Sequence, residues 1–528
     1  MNASVYSLLY ACGIAGLLYL DREGTVRISK ALWLPGMWIG IALSRSVSEW
    51  FGISVPGNLQ GSDGSPVDAA VLGVLVAAAI VVLIRRKSRP RRLLLANWPI
   101  LIYFLFCLVS ISWSYHPDIA FKRWIKAIGD VAMVTIIATD PQPVAAIRRL
   151  VSRIGFLLLP TSVLFIRYFG DLGRSYTSDG MPMNTGVTTN KNELGLTVLV
   201  VSLVVLWNVH SLLAHKNQPN RGRRLLAQGI LLSFGLALLV MAQSSTCKAC
   251  FLLGSVLIVV LNMDAFKRRP ARVHVLCIGL LIAAGIGMLV GGQGGVTSAL
   301  GRDSSLSGRT DIWAAVISVA PNSIVGAGFE SFWSSPNAMV AIQTLLDKGF
   351  DPHVIVGLNE AHDGYVEIYL QLGWVGVCLI AFVLISGYRR ACQAYHRDPE
   401  LGAVLIAYVA VAAVYAITEA GFRTLSPPWI FFLLAFVSAT GVKVGLFGPK
   451  KSQGRTSRNT RLNGTSGFEE INLFEPNNRG SNTVVERGQP IIPGYLLSPA
   501  LDRIDAWGME NVIRLSTARR EQRLRDNR

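Results

Sequence analysis

The chain is 528 residues long, 51% hydrophobic and only 16% charged, with a mean hydropathy of +0.44. Soluble proteins carry about 25% charged residues, so this composition excludes a soluble enzyme with one anchor and predicts a polytopic, all-α integral membrane protein. The net charge of +18 falls first to loops on the inner side of a membrane, ahead of acidic partners, and no nucleic-acid partner is expected.

The first apolar run, residues 5–20, lacks a basic start and a small-residue cleavage site and reads as a helix that stays. About thirteen candidate spans are expected, centred near residues 12, 39, 76, 105, 132, 158, 201, 233, 256, 282, 376, 409 and 436. The connections "RRKSRPRR" (85–92), "HKNQPNRGRR" (215–224), "FKRRPAR" (266–272) and "YRRACQAYHR" (388–397) are basic, which places them in the cytoplasm. The loop after the second span is poor in Lys and Arg, carries Glu49, Asp63 and Asp68, and falls outside. An odd number of spans then puts the N-terminus outside and the C-terminus inside. The basic "KKSQGRTSRNTR" (450–461) agrees.

Two outer connections are long, 168–190 and 291–361. The second contains "GRTDIWAAVISVA" (308–320), predicted to be a helix capped by Thr310 or Asp311. Long outer loops with their own helices usually carry function. The expected organisation is N-terminal transmembrane helices over 1–95, a membrane domain over 96–447 with the outer loop 291–361, and a basic, largely disordered cytoplasmic tail over 448–528. The tail allows one short helix near 506–525. Seven cysteines lie mostly inside apolar runs, and Cys247 and Cys250 form a lone C-x-x-C without a nearby histidine. They read as packing residues rather than a zinc or redox pair.

The outer face gathers cations: Arg167 and Arg174 after the sixth span, Lys191 beside Glu193 at the start of the seventh, Lys248 between the eighth and ninth, Arg302 and Arg309 in the large loop, and His362 before the eleventh. Such a set suits an anionic ligand such as a diphosphate, which Arg grips with two parallel N–H bonds. The competing reading is that each snorkels to headgroups or pairs with an acid. In "NKNELG" (190–195) the asparagines fit as caps, whereas Lys191 opposes the helix dipole. Arg309 opposes a dipole too, unless a bound anion offsets it. His362 stands with Glu360, Asp363 and Glu367. The imidazole either carries protons, oriented by Asp363 or Glu360, or belongs to a helix-capping cluster. No nucleotide-binding, zinc-protease or serine-hydrolase motif is present, and no cofactor or metal is expected. "GFESFW" (328–333) has no meaning from spacing alone.

Several pieces together resemble the bacterial O-antigen ligase and O-antigen polymerase family. They are "SISWSYHPDIAFKRW" (110–124), "TTNKNELG" (188–195), "SSTCKA" (244–249), "LSGRTDIW" (306–313), "IVGAGFESFW" (324–333) and "AHDGYVEIYLQLGWVGV" (361–377). "GAGFESFW" looks closer to the exopolysaccharide polymerases than to the lipopolysaccharide ligases. The resemblance implies a C-type glycosyltransferase-like fold in the bacterial inner membrane with its active site facing the periplasm. It implies a glycan donor carried on undecaprenyl diphosphate, an acceptor glycan, and contact with membrane lipid, a chain-length regulator and export proteins. It implies that Arg309 holds diphosphate and that His362 activates or orients the acceptor hydroxyl. Lys248 stands where the family often has Arg. A ligase that joins finished glycan to lipid A–core is the runner-up. A lipid-linked sugar transporter is a different class, and would show charges deep within spans rather than at the outer rim.

Overall fold

A computed structural model of the chain describes residues 3–24, 28–53, 65–176, 180–291, 306–355 and 358–447. Asp63, Arg302 and the tail with its expected helix near 506–525 lie outside the described residues. The long elements are all helices: α1 (Ala3–Leu20), α2 (Trp33–Ala42), α3 (Pro66–Arg85), α4 (Trp98–Ser110), α5 (Pro117–Ala138), α6 (Pro143–Tyr168), α7 (Lys191–Ala214), α8 (Arg221–Met241), α9 (Ser245–Leu261) and α10 (Arg272–Gly291). The outer loop contributes α11 (Leu306–Ser318) and α12 (Pro336–Asp347), and α13 (Gly364–Arg397), α14 (Pro399–Tyr415) and α15 (Pro427–Lys443) complete the order. The all-α expectation misses one small ribbon, Arg174–Tyr176 antiparallel to Pro182–Asn184, inside the outer connection 168–190.

Each expected span centre falls within a helix, but length and composition qualify fewer as crossings. Among the described residues five helices are long and apolar enough to cross a membrane: α3, α6, α7, α8 and α13. A sixth arises if Arg89–Ala96 and Trp98–Trp113, bent by 79°, make one span. The shortfall has a physical cause. Helices α14 and α15 have 17 residues each, roughly 25 Å at 1.5 Å per residue against a hydrocarbon core of about 30 Å. Helix α2 has only 10 residues, about 15 Å. Helix α5 carries five charged residues, Asp118, Lys122, Arg123, Lys126 and Asp130.

Helices α7, α14 and α15 form the centre of the bundle. Almost every residue of α14 and α15 is buried, as expected of helices that are apolar all round. Helix α14 packs between α9, α13 and α15, and α5 and α13 lie against α15. Polar contacts tie the helix ends into two groups. At one end Arg224 pairs with Glu23 at 3.3 Å, Ser29 donates its N–H to Asp140 at 3.1 Å and Arg390 donates to Asn97 at 3.1 Å. The basic stretches 85–92, 215–224 and 388–397 gather there. At the other end Arg45 donates to the Thr188 carbonyl at 3.2 Å and Tyr6 stacks on Tyr168 with ring centroids 3.8 Å apart. The segment 29–45 that contains the short helix α2 therefore reaches from Asp140, beyond the end of α5, to Thr188, before the start of α7.

Helix α13 is broken at Gly373, whose φ of +62° no L-side chain adopts readily. A Cβ there would sit 2.3 Å from the Ile324 carbonyl carbon. The break frees backbone groups on both sides, and the outer loop satisfies them. Ala327 and Gly328 donate N–H bonds to the carbonyls of Leu370 and Gln371 at 3.0 and 2.8 Å, and Trp374 donates to Ser323 at 2.9 Å. Irregular backbone within a span is tolerated where protein satisfies it. This docking gives "IVGAGFESFW" the meaning that spacing alone withheld.

Candidate active site

A cavity of about 450 Å³ opens at the end of the bundle opposite the basic stretches. Its walls come from the start of α7, the residues before α13, and the 416–426 connection between α14 and α15. Lys191, Glu193, Glu360, His362, Glu419 and Arg423 all line it.

At the α7 wall the capping reading holds for asparagine. Asn190 is the N-cap, and its side chain accepts the Glu193 N–H at 2.9 Å. The Glu193 carboxylate reaches back to the Thr189 N–H and hydroxyl at 3.2 and 2.6 Å. Glu193 is thereby engaged in holding the helix start, while Lys191 stands half-buried at the cavity.

At the α13 wall Asp363 is the N-cap, accepting the N–H groups of Tyr365 and Val366 at 2.8 and 2.9 Å. Burial pushes its carboxyl up, against the pull of those two bonds. On the other side of His362, Ala361 is fixed twice. Its carbonyl accepts from Trp313 Nε1 at 2.8 Å, and its N–H donates to Glu367 at 3.0 Å. Trp333 Nε1 also donates to Glu367, at 2.8 Å. Held from both sides, His362 keeps a φ of +50°, a conformation that costs a non-glycine residue roughly 1–2 kcal/mol. Such stored strain points to a functional position.

His362 Nδ1 lies 2.9 Å from Glu360 Oε1 and 3.5 Å from Glu419 Oε2. Neither contact is a well-aligned hydrogen bond, so the attraction is mainly between charges. Burial alone would lower the imidazole, but the two carboxylates outweigh it and raise its pKa to about 9. Burial would likewise raise Glu360, but His362 and then Arg423 outweigh it and bring it down to about 2. At neutral pH the pair is therefore imidazolium and carboxylate. Arg423 donates to Glu360 Oε2 at 2.9 Å. Arg309 donates to the Thr418 carbonyl and lies 3.3 Å from Glu419 Oε1. The result is an alternating chain, Arg423–Glu360–His362–Glu419–Arg309.

The structure separates the expected cations. Lys191 and His362 line the cavity, and Arg309 reaches it through its pairing with the lining residue Glu419. Arg309 sits in the first turn of α11, which begins at Leu306, and not before the helix as expected. The carboxylate of Glu419, not only a bound anion, offsets its dipole penalty. Lys248 sits in the first turn of α9 and does not line the cavity. It is two residues beyond Thr246, whose hydroxyl is 3.1 Å from that of Thr418. Arg174 is turned to the Ile166 carbonyl at 3.0 Å, and Arg167 is exposed. Neither of these two lines the cavity. Glu419 and Arg423 were missed. The signal was present, because Arg423 is an outer cation by the same charge rule, in a connection too short to draw notice.

Glu360, His362 and Glu419 also place one ligand atom each within 4.8 Å of one another, a donor set that suits a divalent ion. Here Arg309 and Arg423 already neutralise the carboxylates and the imidazole holds its proton, so the trio is engaged as ion pairs. An ion would have to displace a proton and two guanidinium contacts.

Residues 230–381 match the family model described as O-antigen ligase. The exopolysaccharide production protein ExoQ of Rhizobium meliloti (strain 1021) is 25% identical over 335 residues, 61% of this chain and 71% of that protein. The chain is thus a helical membrane protein whose 230–381 region is similar to the O-antigen ligase family. The matched stretch takes in Lys248, Arg309 and His362 and ends before Glu419 and Arg423. The matched region thus supplies Arg309, Glu360 and His362 of the ion-pair chain, and the 416–426 connection supplies Glu419 and Arg423.

Proposed function

We propose that this protein is a membrane glycosyltransferase that polymerises undecaprenyl-diphosphate-linked oligosaccharide repeat units into exopolysaccharide or O-antigen. The observation that supports this reading most is the arrangement of three cations, His362 and Arg423 lining the cavity with Lys191, and Arg309 behind Glu419, around two carboxylates. The excess of positive charge suits the diphosphate that leaves when the glycosidic bond forms. The acceptor hydroxyl attacks the anomeric carbon, the bond to the diphosphate oxygen breaks, and its electron pair leaves with the diphosphate. Arg309, assisted by Lys191 and Lys248, stabilises that charge without a metal or nucleotide. His362 carries its proton at rest, so it orients the acceptor as a donor, and Glu419 or Glu360 beside it receives the acceptor proton. Arg167 and Arg174 act further out, on the approach of the lipid headgroup.

The relative named for exopolysaccharide production favours the polymerase, and the family name keeps the ligase as runner-up. Purified protein in lipid discs, given lipid-linked repeat units alone, should produce a polymer ladder. Transfer only when lipid A–core is added would favour the ligase, and no transfer with either acceptor would sink the glycosyltransferase reading. One observation bears on the transporter class: Asp130 is buried within α5, against the expectation that charges keep to the rim. Both its oxygens are occupied by donors from this chain, so it is committed to structure.

The proposed setting is the bacterial inner membrane in a C-type arrangement of about thirteen crossings, the short ones included. The N-terminus and the cavity face the periplasm, and the basic stretches and tail 448–528 face the cytoplasm. A chain-length regulator and export proteins are the partners such a polymerase would serve. In a background without other reactive thiols, Lys348→Cys should label from outside and Ser452→Cys should not. The reverse pattern would overturn this sidedness.

A further inference from the structure

The 416–426 connection contributes Glu419 and Arg423 to the cavity, and two carboxylates that hold it lie outside the cavity lining. Thr424 donates its backbone N–H to Glu330 Oε1 at 3.0 Å. The next residue, Leu425, donates its N–H to Asp130 Oδ2 at 3.1 Å. Two carboxylates from distant parts of the chain thus grip two consecutive backbone amides directly after Arg423. Leu425 has a φ of +61°, a conformation that persists in a non-glycine residue only when its surroundings over-determine it.

Each carboxylate is itself fixed. Asp130 is fully buried in α5, and its other oxygen accepts Trp38 Nε1 from α2 at 2.8 Å. Gly129 makes room for this indole, since a Cβ there would lie 2.4 Å from the Trp38 ring. No ion pair to Asp130 occurs among the described residues, so its neighbours meet it with neutral N–H groups. Glu330 belongs to "GFESFW". It has a φ of +46°, donates its N–H to Gln371 at 3.0 Å and accepts from Arg123 on its carbonyl. Gln371 in turn donates to Glu367 at 2.7 Å, which holds the Ala361 N–H. One hydrogen-bonded path therefore joins Thr424 to the residue beside His362.

We propose that Asp130 and Glu330 are positioning residues that clamp Thr424 and Leu425 and so set Arg423 against Glu360 in the active site. The catalytic part rests on the glycosyltransferase reading, and the clamp itself does not. The chemistry makes the two acids respond differently to amide replacement. Glu330 uses one oxygen on Thr424, so Glu330→Gln keeps an acceptor there. Asp130 uses both oxygens, so Asp130→Asn turns an NH₂ group against either Trp38 or Leu425. Trp38→Phe removes one of those donors, which leaves the asparagine carbonyl free for Leu425.

The test is backbone hydrogen exchange on the full chain in lipid discs, read at 416–426, beside turnover of lipid-linked repeat units. Glu330→Ala and Asp130→Asn should speed exchange at Thr424 and Leu425 at least tenfold and lower kcat about tenfold with KM little changed. Glu330→Gln and the Trp38→Phe, Asp130→Asn double variant should return both towards wild type. A general loss of folding would not be repaired by adding a second core substitution. Unchanged exchange in Glu330→Ala and Asp130→Asn, or no recovery in Glu330→Gln and the double variant, overturns the clamp. Faster exchange with wild-type turnover overturns its role in positioning Arg423. An inactive wild type indicts the glycosyltransferase reading, and the exchange data still decide the clamp.

Discussion

Arg309→Ala is expected to abolish polymer formation in a protein that still reaches the membrane. The guanidinium spans from α11 to the 416–426 connection, donating to the Thr418 carbonyl and lying against Glu419. Its removal takes away the cation proposed for the departing diphosphate and leaves Glu419 with His362 as its remaining ion-pair partner among the described residues. Loss of one charge-assisted contact costs roughly 1.5–3 kcal/mol, about a tenfold to hundredfold loss, and more where the charge develops in the transition state. Arg309→Lys should recover little, because an ammonium cannot reach a carbonyl and a carboxylate with a planar fork. Polymer ladders from membranes with equal amounts of protein check both variants. Near-normal polymer in Arg309→Ala would remove this residue from the mechanism.

The second large effect belongs to His362. With the imidazole raised to about 9, the working form at neutral pH is the cation. Turnover should therefore fall as pH rises through about 9. The stability sign is the same: the His362 contribution is fully present below the unfolded value near 6.5 and is lost as pH climbs through about 9. Glu360, held at about 2 against an ordinary value of 4.5, gives a contribution present above 4.5 and lost as pH falls towards about 2. His362→Ala should lower kcat about a hundredfold, in the range of a positioned acid–base group, with donor affinity less affected. His362→Asn keeps size and hydrogen bonding but not charge, and should stay nearly as slow. Turnover that rises through pH 9 would restore the neutral imidazole as base. A fully active Asn variant would reduce His362 to a packing residue.

Much of this was legible in the chain. Asn190 and Asp363 were readable as caps because capping is local, decided by a side chain and the amides two or three residues on. Arg309, His362 and Lys191 were readable as unexpected charges on one face. Glu419, Arg423, Glu330 and Asp130 were not, because their roles depend on pairings across the bundle, such as Asp130 with Leu425, 295 residues apart. That Arg167 and Arg174 lie apart from the cavity lining was hidden for the complementary reason. Sharing a face in the sequence reading says nothing of which way a side chain turns once packed. The break at Gly373 was hidden as well, since an apolar run reads the same whether its helix is continuous or interrupted.

The separation between Asp130 and Leu425 also fixes an order of events during synthesis. If α5 is one of the proposed crossings, a chain made from its N-terminus inserts it while Leu425 is still to be translated. At about 5–20 residues per second, that wait lasts roughly 15–60 seconds. Throughout it Trp38 is the earlier of the two Asp130 partners seen among the described residues, and in a crossing helix an aspartate at mid-helix costs about 2.5–3.5 kcal/mol to insert. The final connection before α15 ends that exposure in the same movement that delivers Glu419 and Arg423 to the cavity. A nascent chain halted before residue 416 would carry Arg309 without Glu419 and His362 with Glu360 alone, so the cavity completes its charge pattern only as the bundle closes.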